Sequence, residues 1–377
     1  MSTTTTSHST PHARWIPRLV LIGIATVVAL LLVEGAVRVR QWLRYGSVRP
    51  AIAQLRLDPA TGLMIPTPTT KIVLDSHGFR SPEVVVPKPP NRIRLAFTGA
   101  STTFCAEVSG NDATWPYLVV EALRSKYKGA TFDFVNAAVS GYDLRMSRKN
   151  LDLRVAPMQP DLILYYEAQN DFAKDSREMA KREGIYVEKP ENPSPLARVS
   201  ATWYLLEKNW VLRQRVRQGL TNTGKDKLRF QPDTLAQGFE SRLVEYIRAS
   251  QKIAPLAAVA TFSHKVRRDQ SPETQLTASN TSLFYAPYMS VPGLLDGFDA
   301  YNRAIRTAAR ETGAILIEGE DTIPGDDAHF QDSVHFLDAG SKRMADRVVA
   351  GLVASPEFNR LVASRGGAPV AGAVAGR

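Results

Sequence analysis

Two short segments carry the residue types of a covalent acyl-transfer site: Gly99-Ala100-Ser101-Thr102-Thr103 and Asp332-Ser333-Val334-His335. A serine hydroxyl is a weak nucleophile until a nearby imidazole takes its proton, and His335 is a base of that kind. Asp332, three residues earlier on the same segment, is placed to accept a hydrogen bond from the other imidazole nitrogen and to steady the cation that forms. Attack on a carbonyl also needs donors aimed at the developing oxyanion. The backbone N–H of Ser101, the N–H of Gly141 and the side-chain amide of Asn170 are the candidates, and the missing Cβ of Gly141 leaves room for a substrate oxygen.

Each residue has a plainer reading. A Gly-x-Ser is often only a turn, Asn170 and Asp171 are good helix caps, and Gly141 suits a tight connection. Asn170 is assigned to the site and Asp171 to its support. The chain has six histidines. His8 and His12 lie at the extreme N-terminus, His77 lies in a turn-rich stretch, and His329 is read as lacking an acidic partner at the spacing of Asp332 and His335. His264 is the rival base, and a structural or substrate-contact role is expected for it. Cys105, the single cysteine, excludes an intramolecular disulfide and reads as a small packed residue. With no HExxH pattern, cysteine pair or EF-hand loop, the sequence calls for no metal and no cofactor.

These residues need a scaffold that brings distant segments to one edge. From Arg92 onward, short apolar runs alternate with amphipathic stretches, as in βαβ units around a mostly parallel sheet. Five strands are expected, at 92–98, 132–139, 161–167, 254–262 and 314–318, with helices at 112–128, 233–250, 297–312 and 338–353. In such sheets, ligands bind beyond the carboxyl ends of the strands. Ser101, Gly141 and Asn170 follow the first three strands, and the Asp332–His335 segment follows the fifth.

In this order the four blocks resemble the SGNH or GDSL hydrolases, with Ser101, Gly141, Asn170 and His335 in the four named places. The resemblance covers about residues 92–353. It implies a flavodoxin-like three-layer α/β sandwich with a five-stranded sheet and an acyl-ester hydrolase or acyl-transfer activity. Two residues depart from the family pattern. Ala100 stands where Asp is usual, which is expected to change how the nucleophile turn is buttressed. Ala168 stands where Gly is usual, and its methyl is expected to narrow the pocket. Gly78-Phe79-Arg80, together with an apolar N-terminus, resembles a bacterial membrane-anchored subgroup associated with cell-envelope polysaccharides.

That N-terminus carries an uncharged run, Leu19 to Val33, extended towards Trp15 and Val37 to bilayer-spanning length. Residues 15–37 are therefore expected to be a transmembrane anchor behind a polar tail, 1–14. Charge counting alone would hold the C-terminal domain inside, whereas envelope chemistry favours a periplasmic domain on the bacterial inner membrane. Residues 38–90 read as a linker and docking strap, with a short hairpin or strap at 73–80. Residues 91–356 form the hydrolase domain, and 357–377 a disordered tail. An insertion at 174–229 holds 13 Lys or Arg against 7 Asp or Glu, and reads as a surface excursion or a helical lid. The net charge of +10 is scattered, and with no nucleic-acid-binding motif, a nucleic-acid partner is not expected. The expected substrate is a short acyl ester, such as acetyl on an envelope glycan, with a lipid ester open. The rivals are an O-acetyltransferase using the same residues and a degenerate glycan-binding or scaffold protein.

Overall fold

The computed structural model describes residues 16–46, 48, 55–186, 193–221 and 227–370 of the 377-residue chain. The polar tail 1–14, Trp15 and residues 371–377 lie outside the described residues. The five expected strands form as β1 (Arg92–Gly99), β2 (Thr131–Asn136), β3 (Leu162–Tyr166), β4 (Leu256–Ala260) and β5 (Ile315–Ile317). They make one parallel sheet in the order β2-β1-β3-β4-β5. Helices cover both faces, so the inner strands β3 and β4 are apolar throughout instead of alternating, and all five residues of β3 are buried. This is the flavodoxin-like order. The chain leaves β1 to one side and returns to β3 on the other, which opens a crevice between the carboxyl ends of those two strands.

The helices run in chain order as α1 (Ile16–Tyr45), α2 (Ser101–Phe104), α3 (Trp115–Lys126), α4 (Leu144–Asn150), α5 (Gln169–Arg182), α6 (Pro195–Val199) and α7 (Ala201–Thr221). They continue as α8 (Pro232–Ile253), α9 (Pro272–Ala278), α10 (Asn280–Tyr285), α11 (Val291–Thr312), α12 (Asp338–Ala354) and α13 (Pro356–Ser364). α3 and α12 pack together on one face of the sheet, and α8 and α11 on the other. Capping explains several starts: Thr114, Asp143, Ser290 and Ser355 each accept a backbone N–H of the first turn.

Three boundaries differ from those expected. α5 runs unbroken to Arg182, so the insertion begins after it, because the first charged residues assigned to the insertion lie on the outer face of an amphipathic helix. The tail expected to be disordered from 357 instead contains α13 and a strand, Ala368–Pro369, paired antiparallel with Tyr127–Lys128. Phe358, Leu361 and Val362 bury the apolar face of α13, and small-residue composition alone concealed them. The hairpin of the linker lies at 55–66, pairing Leu55–Leu57 with Met64–Pro66, and 73–80 is a turn organised by Asp75.

That turn delivers Arg80 into the interior, 1% exposed. Its guanidinium donates to the carbonyls of Phe104 (2.8 Å) and Cys105 (2.6 Å), to Gly110 O (3.3 Å) and to Asn111 Oδ1 (3.0 Å). Cys105 has φ 59°, so these carbonyls turn away from the α2 axis and need an outside donor. The linker thus clamps the segment that follows Ser101. Arg80→Met leaves buried carbonyls without a donor and is expected to lower stability by about 2–4 kcal/mol. Arg80→Lys recovers little, since one ammonium lacks the planar fork. Urea midpoints of the detergent-solubilised full chain measure both.

Candidate active site

β1 ends at Gly99, where φ is +144° and an added Cβ would stand 2.3 Å from the carbonyl oxygen of Tyr166 at the end of β3. Only glycine lets the two strand ends approach this closely. The chain then turns into α2, with Ser101 as its first residue. Thr103 Oγ1 donates to Tyr166 O (2.8 Å), and Trp115 Nε1 donates to Thr102 O (3.1 Å), which fixes the turn from both sides.

His335 reaches Ser101 from the far end of the sequence, with Nε2 2.8 Å from the serine Oγ. Its Nδ1 faces both oxygens of Asp332, at 2.9 and 2.8 Å. Asp332 Oδ1 also accepts the backbone N–H groups of Val334 and His335, each at 3.0 Å, so the carboxylate shapes the turn that presents its own partner. Ser333 secures the turn: its Oγ accepts from Thr281 N and Ser282 N of α10, and its carbonyl from Lys265 N.

On the other side of Ser101, Gly141 has φ +85°, and its missing Cβ faces open space. Asn170 Nδ2 donates one hydrogen to Tyr142 O (2.8 Å), leaving its second hydrogen for a ligand. Asp171 supports this pair from behind, accepting Leu144 N (2.9 Å) and Arg242 (3.1 Å). Burial pushes its carboxyl up to about 6 despite the pull of Arg242. Ser101, Gly141, Asn170 and His335 line a single cleft of about 700 Å³. A larger groove between α11 and α12 holds none of them.

His264 is not brought to this cleft. It is 5% exposed, stacks on Phe298 with ring centroids 4.4 Å apart, and borders a separate cavity beside Arg267. Burial, reinforced by Arg267, drives its imidazole down to about 3, so it is a neutral packing group and the expected substrate contact is not met. The expectation that His329 lacks an acidic partner is not met: it repeats the Asp-x-x-His spacing, with Nδ1 2.7 Å from Asp326 Oδ1, yet lies outside the cleft. Spacing alone therefore did not choose the base. Cys105 is buried as expected, and burial raises its thiol to about 12. Ala168 is fully buried and does not line the cleft, so it does not narrow it. Ala100 packs with Val139 and Tyr142, and the buttressing of the turn falls to Thr103, Trp115 and Arg80.

Two carboxyls next to these residues escaped the sequence reading. Glu167 accepts Thr102 Oγ1 (2.9 Å) on one oxygen and Asn170 N (2.8 Å) on the other, and burial lifts it to about 7. Glu107 lines the cleft, and its Oε2 is sealed from solvent without a hydrogen-bond partner among the described residues. Burial raises its carboxyl as well. The available signal was positional: Glu167 directly follows β3, and Glu107 lies six residues beyond Ser101. Burial alone would lower the pKa of His335, but Glu107, Asp332 and Glu167 together outweigh it and hold it raised. Asp332 is pushed up by burial and brought down further by His335 and its hydrogen bonds, to a net lowering.

A parallel α/β sandwich with a serine, an imidazole and a carboxylate in hydrogen-bonded series at the β1/β3 crevice has the parts of a serine-hydrolase site. The model of the GDSL-like Lipase/Acylhydrolase family matches residues 97–343, more than half of the chain, and the chain belongs to that family. It is accordingly a carboxylic-ester hydrolase. No curated protein sequence matches the chain. Among solved structures, it is similar to Axe2, an acetylxylan esterase from Geobacillus stearothermophilus, at 15% identity and a TM-score of 0.42, covering 70% of this chain and 95% of that one. It is also similar to a putative GDSL-like lipase from Parabacteroides merdae, at 13% identity and a TM-score of 0.40, covering 74% and 98% of the two chains.

The raised imidazole has a kinetic consequence. Only the neutral form of His335 can accept the serine proton, and a raised pKa means that this form appears as the pH rises. The kcat/KM for a chromogenic acetyl ester is expected to climb from neutral into alkaline pH. Glu107→Gln removes a neighbouring negative charge, lowers the imidazole pKa and moves the climb to lower pH, as read from the pH–rate profile.

Proposed function

We propose that the chain is a serine esterase that removes short acyl groups, acetyl above all, from an envelope polysaccharide, and that α1 anchors it in a bacterial inner membrane with the catalytic domain on the periplasmic side. The observation that carries the catalytic part is the continuous series from Ser101 Oγ through the His335 ring to Asp332. Ser101 Oγ attacks the ester carbonyl as His335 Nε2 takes its proton. The oxyanion is held by the N–H groups of Ser101 and Gly141 and by Asn170 Nδ2. The tetrahedral species collapses, His335 returns the proton to the departing alcohol, and an acyl-Ser101 remains. Water enters, His335 deprotonates it, and the second collapse frees the carboxylic acid and regenerates Ser101. Asp332 holds the ring in the tautomer both steps need.

The polar lining of the cleft favours a hydrated alcohol component over a long acyl chain. Gln169, Lys174 and Arg177 line it beside Asn170, with Ser140, Thr281 and Ser282. α1 supports the anchor reading, since Pro17–Leu43 is apolar enough to cross a bilayer and has no residue in its most apolar window buried against the rest of the protein.

Ser101→Ala is expected to abolish both fluorophosphonate labelling and acetate release by the detergent-solubilised chain; labelling that persisted would overturn the assignment of the nucleophile. Asn170→Ala should lower kcat by about 10²–10³-fold with KM little changed, as for loss of one oxyanion donor. Acetate release measured with and without a glycan acceptor distinguishes hydrolysis from transfer. A reporter fused to the C-terminus reads the orientation, and a cytoplasmic signal would refute the periplasmic assignment.

A further inference from the structure

α7 carries more exposed apolar surface than the rest of the described catalytic domain presents on any one helix. Trp203 is 44% exposed, Leu206 57% and Trp210 66%, and their spacing of three and four residues puts them on one stripe. Leu196 and Val199 of α6, 50% and 68% exposed, extend the patch at its start. Single exposed apolar residues need no explanation, but a contiguous patch with two tryptophans marks a contact surface.

The patch is joined to α1. Glu34 on α1 accepts hydrogen bonds from Ser200 Oγ (2.9 Å), Ala201 N (2.9 Å) and Thr202 N (3.0 Å), capping the first turn of α7. Arg38, paired with Glu34 at 2.7 Å, donates to Val199 O at 2.8 Å. Leu19–Val33 are exposed on every side, whereas Glu34, Val37, Arg38 and Gln41 form a sheltered face among the described side chains of α1. The catalytic domain therefore meets α1 just where its lipid-compatible stretch ends. From Ile16 to Val33 a helix rises about 27 Å, close to the roughly 30 Å of a hydrocarbon core. α7 consequently starts at the depth of the membrane–water boundary, where tryptophan is enriched.

We infer that α7 is an interfacial membrane helix, with Trp203, Leu206 and Trp210 set into the headgroup boundary of an anionic phospholipid bilayer. The reading of α1 as a membrane span underlies this. Lys208 is exposed on the side opposite the stripe, Arg213 is exposed beyond it, and Arg215 and Arg217 follow in sequence. Apolar residues on one side and basic residues around and beyond them are the composition of helices that lie in an anionic interface. A protein partner would account for the apolar stripe but not for its junction with α1 at the boundary. α7 also packs on α10, and Ser282 and Tyr285 of α10 line the cleft. The bilayer contact thus holds the esterase cleft close to the membrane, within reach of substrates attached to it.

The test uses the full chain in nanodiscs of phosphatidylglycerol and phosphatidylcholine, spin-labelled singly at Leu30→Cys, Leu206→Cys, Trp210→Cys or Lys208→Cys. Cys105 is buried and does not compete for the reagent. Collision with oxygen reports lipid, and collision with a water-soluble nickel chelate reports solvent. Labels at 206 and 210 are expected to favour oxygen, though less than the label at 30, and the label at 208 to favour nickel. Nickel access at 206 and 210 equal to that at 208, with 30 still in lipid, overturns the inference and leaves the anchor standing. Shielding of 206 and 210 from both reagents would mean a protein covers the stripe and also overturns it. Nickel access at 30 refutes the anchor reading, and this inference with it. The substituted α7 side chains are exposed, so the fold is retained, as native circular dichroism checks.

Discussion

The site is organised around one buried carboxyl group. Glu167, at the end of β3, holds Thr102 beside Ser101 with one oxygen and the backbone of Asn170 with the other. The two segments it joins leave the sheet on either side of the topological switch point, so nothing in their own chain connects them. A carboxyl buried in this way is costly unless its oxygens are satisfied. Here the partners that satisfy it are Thr102, next to Ser101, and Asn170, so the buried carboxyl ties these two cleft-lining segments together. Gly99 adds a steric counterpart, since any side chain there would force the ends of β1 and β3 apart.

Around this bridge the structure concentrates negative charge on one imidazole. Asp332 bonds directly to His335, while Glu107 and Glu167 act through the low-dielectric interior. Stabilising an imidazolium helps the step that creates it but withholds the neutral base at lower pH. In the proposed mechanism the cluster would favour the charged intermediate at the expense of the neutral base near neutrality. Arg80 also acts on this cluster, since its positive charge favours the charged form of Glu107. Its guanidinium is committed to the carbonyls of Phe104 and Cys105 and to the loop as far as Asn111, and so fixes the segment that carries Glu107.

Further contacts link the sheet to the apolar helix α1. Glu34 serves α1 and α7 together, and Ser333 ties the His335 turn to α10, which α7 packs against. A path of side-chain contacts therefore runs from the apolar helix to the cleft wall.

Strand positions, helix positions and the Ser101, Gly141, Asn170 and Asp332–His335 blocks were legible in the sequence because each is local. Apolar runs define strands buried on both faces, and polar residues at strand ends define the reactive edge. What remained hidden depended on contacts between segments far apart in the chain. The apolar face of α13 shows only once a partner surface is present, the insertion boundary depends on where α5 stops packing, and the fold turns His264 onto Phe298, away from the cleft. Glu107 and Glu167 are ordinary acids in the sequence. Their burial against His335 and between Thr102 and Asn170 gives them significance, and burial is a property of the tertiary structure alone. The sequence by itself thus determined the sheet, its order of blocks and the chemistry those blocks contain. Tertiary structure decided which histidine meets the serine, which acids tune it and how the apolar helix is fastened to the domain, because each depends on distances across the fold that local spacing does not encode.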